Sequence, residues 1–503
     1  MDIQVTTRPV RDVQCDAFIV GVARDEKMGP VLPTYAATVD RLLDGLISGL
    51  FTDGEFKGNL GEIVTLHTMG HLATRRVIVV GLGAQEKVTT QSIRRASAIA
   101  ARHAQETGAH HLALALHWNT LSLDEEQSIQ AQVESALLGL YTFRKYQHTE
   151  HNGNGKGVSQ IRVLVEGTDK GSYEQAIYHG RVLAEATNFT RDLVNEPPNV
   201  LTPSELAHRA VTMAKHVGLE HEVLDKAKIE ELHMGGLLGV SQGSAKPPRF
   251  IILRYQGAPH GTEKGLALVG KGITFDTGGI SIKPAERMDE MKGDMAGAAA
   301  VLGAMQAIAL LKPSINVTAL IPTCENMPSS TAYRPGDILR IMNGKTIEIV
   351  NTDAEGRLIL ADALSYAAKE GLSPIIDLAT LTGGIRVALG KIMTGLFCND
   401  EQLTNEIIAA GRIAGEKFWP MPLDEEYKEQ IKSDIADIKQ TGGRYASSVT
   451  AAKILEQFVG NAKWAHLDIA GTSYLDSPKP YQEKGSTGVG VRTLTELVLR
   501  LAE

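Results

Sequence analysis

Short apolar runs and longer segments of helical periodicity follow each other along most of the chain. Leu266–Gly270 and Ile161–Glu166 are apolar runs of strand length and predict β-strands. Ser172–Val194 repeats small and apolar residues on one helical face, and the Ala-rich segment Met295–Leu311 also has a helical pattern and stops at a proline. This mixture of strand and helix signals predicts an α/β fold.

At 503 residues the chain is too long for one ordinary domain. The polar, glycine-rich stretch 148–157 is the clearest boundary signal, and the helix Ser172–Val194 reads as a connector. Arg76–Gly83 resembles a strand that leads into a dinucleotide loop, but Glu86 replaces the third glycine and favours a structural turn. The predicted parts are an N-terminal α/β domain, a connecting helix and a larger C-terminal domain, at residues 1–167, 168–195 and 196–503.

Composition narrows the class of protein. Hydrophobic residues make up 43% and charged residues 22% of the chain, as in globular proteins. Three scattered cysteines indicate a reducing compartment, and the N-terminus lacks an apolar signal region, so we expect a cytoplasmic protein. No stretch of about 18 apolar residues indicates a membrane span. The net charge of −8 disfavours non-specific binding to nucleic acid.

The segment Asn351-Thr-Asp-Ala-Glu-Gly-Arg-Leu358 carries the strongest chemical signal. It follows the strand-like run Thr346–Val350, so Asp353 and Glu355 point to the same side if the extended geometry persists past Val350. Two carboxylates so close repel each other unless a cation lies between them. An isolated segment of this kind would be interpreted as a solvated turn.

A second cluster of polar residues makes a metal site the better hypothesis. Lys271 and Asp276 follow the strand Leu266–Gly270, and Asp294 precedes the helix Met295–Leu311, so they lie where active sites of open α/β sheets form. With Asp353 and Glu355 the carboxylates carry about four negative charges, which two dications would balance. Oxygen ligands with one amine suit Mg, Mn or Zn. The sequence lacks the H-E-x-x-H motif of zinc metallopeptidases, the paired-cysteine motif of zinc fingers and the G-x-S-x-G motif of serine hydrolases.

These segments resemble the leucyl aminopeptidase family of cytosolic dinuclear metallopeptidases, whose signature is the segment 351–358 without a change. Over roughly residues 190–500 six further segments match in order: Asn195–Asn199, Glu325–Pro328, Tyr333–Asp337, Asp377–Gly383, Trp464–Gly471 and Thr487–Arg492. The resemblance implies an N-terminal α/β domain joined by a helix to a larger catalytic domain with a mixed, mainly parallel central sheet. It also implies a homohexamer that acts on peptides.

The resemblance also implies roles for individual residues. Asp276 and Glu355 would bridge two metal ions, Mn or Zn, with Asp353 on one ion and Lys271 and Asp294 on the other. Lys271 can be a ligand only when deprotonated, which requires a pKa lowered by several units. Lys283 and Arg357 would form the catalytic pair, Arg357 with a bicarbonate, and the pocket for the first side chain would be formed by Met291, Thr380, Gly383 and Ala470.

The predicted function is therefore a metal-dependent aminopeptidase that removes N-terminal residues, leucine-type preferred, with a water activated by two metals. Two alternatives stay open: a DNA-binding regulator on the same fold, which no basic segment supports, and a metal-dependent phosphoryl-transfer enzyme, which lacks a Walker-type loop. His466 lies in an apolar run and is interpreted as a satisfied core histidine.

Overall fold

The computed structural model describes residues 1–25, 29–116, 123–148, 157–166, 170–258 and 265–503. These residues form two compact units, Met1–Glu185 with Ser477–Lys484 and Ala186–Asp476 with Gly485–Glu503. The division falls inside the helix Lys170–Asn195. The predicted domain limit after residue 167 lies outside the described residues, and the three-part division stays a prediction.

The first unit contains a mixed, mainly parallel sheet with helices beside it. Its described strands are β1 (Asp2–Thr6), β2 (Ala17–Asp25), β3 (Gly29–Val31), β4 (Ile63–His67), β5 (Arg76–Ala84), β6 (His111–Ala115) and β7 (Gln160–Leu164). Their order is β1-β7-β6-β2-β5-β4, with β3 paired to β2; β3 and β4 are antiparallel to their neighbours. Its helices are α1 (Thr34–Leu42), α2 (Leu46–Thr52), α3 (Thr90–Glu106), α4 (Glu125–Gly139) and the first part of α5 (Lys170–Asn195), which continues into the second unit. Short 3₁₀ turns occupy Val10–Asp12 and Gln85–Lys87.

Alternation along β2 shows why this sheet is covered on both faces. Ala17 and Ile19 belong to the core that includes α3 and α4, whereas Phe18 and Val20 belong to the core that includes α1. Successive side chains of a strand point to opposite faces, so a run that is apolar throughout needs two cores. Gly81 in β5 is required by packing, because a Cβ there would lie 2.0 Å from the Asn59 carbonyl oxygen.

The second unit is built on a larger mixed sheet. Its strands are β8 (Glu220–Leu224), β9 (Arg249–Gln256), β10 (Leu266–Gly270), β11 (Gly272–Asp276), β12 (Asn316–Asn326), β13 (Ile338–Arg340), β14 (Thr346–Glu348), β15 (Ile375–Ala379), β16 (Thr394–Cys398), β17 (Phe418–Pro420), β18 (Ile438–Lys439), β19 (Trp464–Asp468), β20 (Tyr474–Leu475) and β21 (Gly485–Ser486). The main order is β17-β16-β19-β15-β10-β12-β9-β8, with β11 paired to β12. β13, β14 and β18 form a small sheet, and β20 and β21 form a hairpin pair.

Helices cover this sheet and end at recognisable stop signals. They are α6 (Pro203–Val217), α7 (Lys226–Glu231), α8 (Gly235–Ser241), α9 (Ala296–Leu311), α10 (Gly356–Glu370), α11 (Gly383–Leu389), α12 (Glu401–Ala414), α13 (Ser447–Glu456) and α14 (Val491–Ala502), with 3₁₀ segments at Met288–Met295 and Glu425–Ile431. α6 begins at the cap Thr202 and ends at Gly218, whose φ is 78°. α10 ends in the same way at Gly371.

The centre of the second unit positions the polar segments of the sequence. β10 is buried along its whole length and lies parallel to both β12 and β15. The carboxyl ends of these parallel strands therefore meet at one edge of the sheet, which is where Lys271 and Asp276 lie. The mixed, mainly parallel α/β architecture that the resemblance implied is confirmed.

One helical stretch, Met288–Leu311, has the length and apolar composition of a membrane span. Its most apolar window is 83% buried within the protein, and α9 packs against β10 and β15. Burial of this kind is expected of the core helix of an α/β unit, whose apolar residues face the sheet and other helices on most sides.

Candidate metal centre

Each predicted metal-binding residue lies at the end of a strand or the start of a helix. Lys271 lies between β10 and β11, Asp276 is the last residue of β11, and Asp294 lies in the 3₁₀ turn that leads into α9. Asp353 and Glu355 immediately precede α10. The amino-terminal ends of α9 and α10 carry positive partial charge, which favours carboxylates at these positions.

Asp353 and Glu355 converge for a different reason from the one the strand pattern suggested. The extended geometry ends with β14 at Glu348, and residues 351–354 form a turn in which the Ala354 N–H donates to the Asn351 carbonyl at 3.1 Å. Glu355 itself has helical backbone angles. The two carboxylates are brought together by a turn and a helix start, and not by alternation along a strand.

The carboxylates form a tight group into which two lysines are inserted. Carboxylate oxygens of Asp276, Asp353 and Glu355 all lie within 4.8 Å of one another. The Lys271 Nζ lies 2.9 Å from Asp294 Oδ1 and 2.7 Å from Glu355 Oε1. The Lys283 Nζ lies 2.8 Å from Asp276 Oδ2 and also contacts Asp353 Oδ1. The structure therefore brings all five predicted metal ligands and Lys283 into one cluster.

Burial and mutual repulsion shift the titration of the cluster strongly. Burial and the Glu355 carboxylate raise the pKa of Asp276 to about 6, although Lys283 and Lys271 oppose them. Burial acts to raise the pKa of Glu355 as well, but Lys271 and Lys283 outweigh it and hold that pKa at about 2. Burial raises the pKa of Asp294 well above its usual range. Neighbouring groups with pKa values pushed apart are typical of functional sites.

Protein groups alone raise the pKa of Lys271, so its lowering by an adjacent dication stays a prediction. Burial disfavours its ammonium, but the carboxylates of Asp294, Glu355 and Asp276 outweigh burial and raise the pKa. Protein groups alone therefore keep Lys271 charged, because three anions surround one cation. Its predicted role as a neutral ligand requires the added charge of a dication, whose binding would displace the proton.

The cluster satisfies the chemistry of a dinuclear metal site. Four carboxylates against two ammonium groups leave a formal excess of two negative charges in a largely buried place. Asp294 Oδ2 and Glu355 Oε2 are buried and accept no hydrogen bond from any residue that the structure describes. Buried carboxylate oxygens are normally satisfied. Oxygen donors with free lone pairs and excess negative charge are the donor set that Mn, Zn and similar dications bind.

Arg357 lies close enough to the cluster for the charges of Glu355 and Asp353 to act on its pKa. It is buried, and its Nη1 donates to the Gln440 carbonyl at 2.9 Å. Its Nε is buried and has no hydrogen-bond partner among the described residues, so a donor is left for an anion. Arg357 is absent from the described lining of the cavity in front of the cluster, whereas Lys283 is part of that lining. Of the predicted catalytic pair, Lys283 therefore faces the described cavity, and Arg357 is buried.

A cavity opens onto the carboxylate cluster. The four residues predicted to contact a substrate side chain all line it: Met291, Thr380, Gly383 and Ala470. Thr380 also belongs to the cluster, because its hydroxyl donates to Asp294 Oδ1 at 2.6 Å and its carbonyl accepts from Lys271 at 3.0 Å. Charged residues that the sequence interpretation did not include, Glu290 and Arg386, line another part of the cavity.

Two neutral side chains that the sequence interpretation missed hold the ligand segments. Asn326 is fully buried, and its amide donates to Asp276 Oδ1 at 2.8 Å and to the Thr352 carbonyl at 3.0 Å. The Tyr333 hydroxyl donates to the same carbonyl at 2.6 Å. Both residues lie in segments that match the family, which was the available signal, but the partners they hold are distant in sequence.

The loop after Asp276 depends on glycine. Gly278 and Gly279 have φ values of 86° and 69°, a region that disfavours side chains. A Cβ on Gly278 would lie 2.5 Å from the Ser281 carbonyl oxygen, and one on Gly279 would lie 2.8 Å from Asn326 Oδ1. These glycines let the loop fold back over the cluster and deliver Lys283 to it.

His466 is a core residue, as the sequence interpretation expected, but it is only half satisfied, because its buried Nε2 has no hydrogen-bond partner among the described residues. It is fully buried in β19, and its Nδ1 lies 2.6 Å from Asp377 Oδ1. The other oxygen of Asp377 accepts the Trp464 indole N–H at 2.7 Å. The carboxylate outweighs burial and raises the pKa of His466. This polar group lies within the sheet, on β15 and β19, and no hydrogen bond joins its described side chains to the carboxylate cluster.

Comparisons with known proteins agree with this geometry. Residues 188–495 match the model described as "Cytosol aminopeptidase family, catalytic domain", and residues 19–150 match its N-terminal domain. A probable cytosol aminopeptidase of Solibacter usitatus is 46% identical over 99% of both chains. One from Alkaliphilus metalliredigens is 45% identical, again over 99% of both.

Solved structures show the same similarity. A mutant of tomato leucine aminopeptidase superposes with a TM-score of 0.88 at 36% identity, covering 99% of this chain and 96% of that one. The bottromycin maturation enzyme BotP in complex with Mn superposes with a TM-score of 0.84 at 34% identity, covering 97% of this chain and all of BotP.

Gly356→Ala tests the packing of Lys271. A Cβ at residue 356 would lie 2.7 Å from the Lys271 Cε and 2.8 Å from its Nζ, and Lys271 is held by three contacts. We expect the variant to fold but to lose at least tenfold in activity, because the amine is pushed out of place. Gly49→Ala, where a Cβ meets nothing within 4 Å, is the control. Wild-type activity of Gly356→Ala, measured with a chromogenic aminoacyl anilide, would contradict this packing argument.

Proposed function

This chain belongs to the cytosol aminopeptidase family, and we propose that it removes N-terminal residues, leucine-type preferred, from peptides with the help of two divalent cations. Family membership makes it a metal-dependent aminopeptidase, a hydrolase. The finer proposal is supported by one observation above all, the convergence of four carboxylates and two lysines at the edge of the sheet beside a cavity.

We assign the ions, Mn or Zn, to the residues of the cluster. Asp276 and Glu355 would bridge the two ions, Asp353 would complete one site, and Lys271 and Asp294 would complete the other. Bound dications lower the pKa of a water molecule and polarise a carbonyl group, which is the chemistry that peptide hydrolysis needs at neutral pH. The uncompensated oxygens of Asp294 and Glu355 support this assignment.

Lys283 would stabilise the negative charge that develops on the scissile carbonyl oxygen. Burial disfavours its ammonium, but Asp276, Glu355 and Asp353 outweigh burial and raise the pKa of Lys283, so it stays charged at neutral pH. Its side chain is about one-fifth exposed and lines the cavity, which lets it reach a substrate. Arg357, with its unpartnered Nε, would hold a bicarbonate that accepts a proton from the attacking water.

The cavity wall supports an apolar first side chain. Met291 and Ala470 supply apolar surface, and Gly383 leaves space, since a Cβ there would meet nothing within 4 Å. Apolar contacts of this kind favour a leucine side chain by burial of its surface. The α-amino group of the substrate would lie toward Asp294, where the excess negative charge favours it.

Two further features are proposed from the family resemblance. We propose a homohexamer and a cytoplasmic location, the second supported by relatives named cytosol aminopeptidases. DNA regulation and phosphoryl transfer are not proposed, because neither the described site nor the similar proteins favour them.

Removal of metal is the direct test of the proposed function. We expect exhaustive chelation to abolish hydrolysis of leucine p-nitroanilide, and added Mn or Zn to restore it, because the reaction requires the cations at the cluster. Metal content should be measured in the same samples, and a titration should saturate at two ions per chain. Full hydrolysis with metal content near zero would exclude the proposal.

Asp353→Ala and Glu355→Ala test the ligand assignment. Each change removes a carboxylate from a mutually repelling group, so we expect folded protein that loses one or both ions and several orders of magnitude in activity. Thermal unfolding, metal content and turnover measure these outcomes. Asp225→Ala, which removes only the cap of α7, is the control. Normal metal content in either cluster variant would remove that residue from the ligand set.

Lys283→Met tests the oxyanion role. Loss of one such donor typically lowers kcat by about 10²–10³-fold. We expect that loss with a KM changed much less, because the contact strengthens only as charge develops on the carbonyl oxygen. Lys283→Arg, which keeps the charge, should recover part of kcat. A rise in KM at unchanged kcat would assign Lys283 to substrate binding instead.

A further inference from the structure

We propose that Gln440 is a positioning residue that sets the shape of the metal-binding turn between β14 and α10. The inference rests on the proposed function, because the turn matters through the ions that Asp353 and Glu355 hold. Gln440 follows the turn by 86 residues, counted from Ala354, and lies in none of the seven short segments on which the sequence resemblance rests. Its importance is visible only in its contacts.

The backbone brings Gln440 to the turn. It follows β18, which pairs in parallel with β14 through Ile347–Ile438 and Glu348–Lys439. The Gln440 N–H donates to the Glu348 carbonyl at 2.9 Å and so extends this pairing by one step. From there the chain of the turn departs from the small sheet, and regular backbone pairing with β18 ends.

The Gln440 side chain replaces the missing pairing. Its Oε1 accepts the N–H groups of Val350 at 3.2 Å and Asn351 at 3.1 Å, and its Nε2 donates to the Ala354 carbonyl at 2.9 Å. The amide therefore joins the first and the last part of the turn across its interior. Gln440 has no exposed surface, so solvent does not compete for these bonds.

The same residue also holds Arg357 by a separate contact. The Gln440 carbonyl accepts Arg357 Nη1 at 2.9 Å. Five hydrogen bonds thus connect this one residue to the segment Glu348–Arg357, which includes both Asp353 and Glu355. Three of these bonds use the Gln440 side chain and two use its backbone. A substitution of Gln440 therefore removes the side-chain bonds to the turn and keeps the backbone carbonyl that accepts Arg357.

A neutral amide suits this position chemically. One side of the turn presents two N–H donors and the other a carbonyl acceptor, and an amide is the side-chain group that offers both an acceptor and a donor at this size. A carboxylate would place an oxygen against the Ala354 carbonyl and add negative charge near a cluster that already has an excess. Removal of a side chain that orients a metal ligand by a hydrogen bond commonly lowers the affinity for the metal about 10–100-fold.

The test compares Gln440→Met with wild-type protein. Methionine has a similar volume but makes none of the three side-chain bonds, so we expect Mn²⁺ affinity, measured by competition with a chelating dye, to fall about 10–100-fold. The electron paramagnetic resonance spectrum of bound Mn²⁺ should change, because the ligands are less well ordered. Turnover should recover at saturating Mn²⁺, while the KM for the peptide stays near the wild-type value.

Gln132→Met is the matched control. Gln132 is also a fully buried glutamine whose Oε1 accepts a backbone N–H, that of Leu116 at 3.2 Å, but it lies in the first unit. We expect it to lower the unfolding temperature without changing Mn²⁺ affinity. Gln440→Glu keeps the acceptor to Val350 and Asn351 but sets an oxygen against the Ala354 carbonyl, so its Mn²⁺ affinity should also fall below that of wild type.

Several outcomes would overturn the inference. Mn²⁺ affinity within twofold of wild type in Gln440→Met, with an unchanged spectrum, would reduce Gln440 to a structural residue like Gln132. If neither Gln440 variant folds, Gln440 serves the fold and the positioning role is rejected. Wild-type protein that binds neither Mn²⁺ nor Zn²⁺ would overturn the proposed function itself, which distinguishes the two failures.

Discussion

The repulsion among four carboxylates at one edge of a sheet is the constraint on which the rest of the second unit depends. Asp276, Asp294 and Glu355 are almost fully buried, where like charges at short distance are strongly unfavourable. Lys271 and Lys283 compensate half of the charge, and the starts of α9 and α10 add positive partial charges. The lysines balance part of the charge, and in the proposed function cations balance the rest.

The fold contributes to this charge compensation by bringing the carboxyl ends of several strands together. Parallel strands expose their carboxyl ends at one edge. Lys271 and Asp276 lie on consecutive segments that both pair with β12, and Thr380 follows directly after β15. Gly356 allows the Lys271 side chain to pass close to the start of α10, since any Cβ there would collide with it. Close approach of backbone and lysine is thus part of how the cluster is assembled.

Local sequence was sufficient to predict some of these features. The uninterrupted apolar run of β10 and the polar residues directly after it predicted the sheet edge, and the signature segment identified Asp353 and Glu355. The predicted reason for their convergence, alternation along a strand, was wrong. Three residues of sequence are too few to distinguish an extended strand from a turn. The buried position of Arg357 and the raised pKa of Lys271 depend on partners brought by the tertiary fold, so no spacing rule indicated them.

Three residues whose contacts with the ligand segments no local pattern predicted share a physical property, which explains their place in the site. Asn326, Gln440 and Thr380 are neutral, and they hold ligand segments by hydrogen bonds without altering the charge of the cluster. An arginine in place of Asn326 would also hold Asp276, but it would cancel a negative charge that a dication needs. Neutral amides and hydroxyls therefore set the geometry, while the charge is left to lysines on flexible stems. Because the two tasks rest on different side chains, a cation can take over contacts of Lys271 and Lys283 without releasing the turns that carry the ligands.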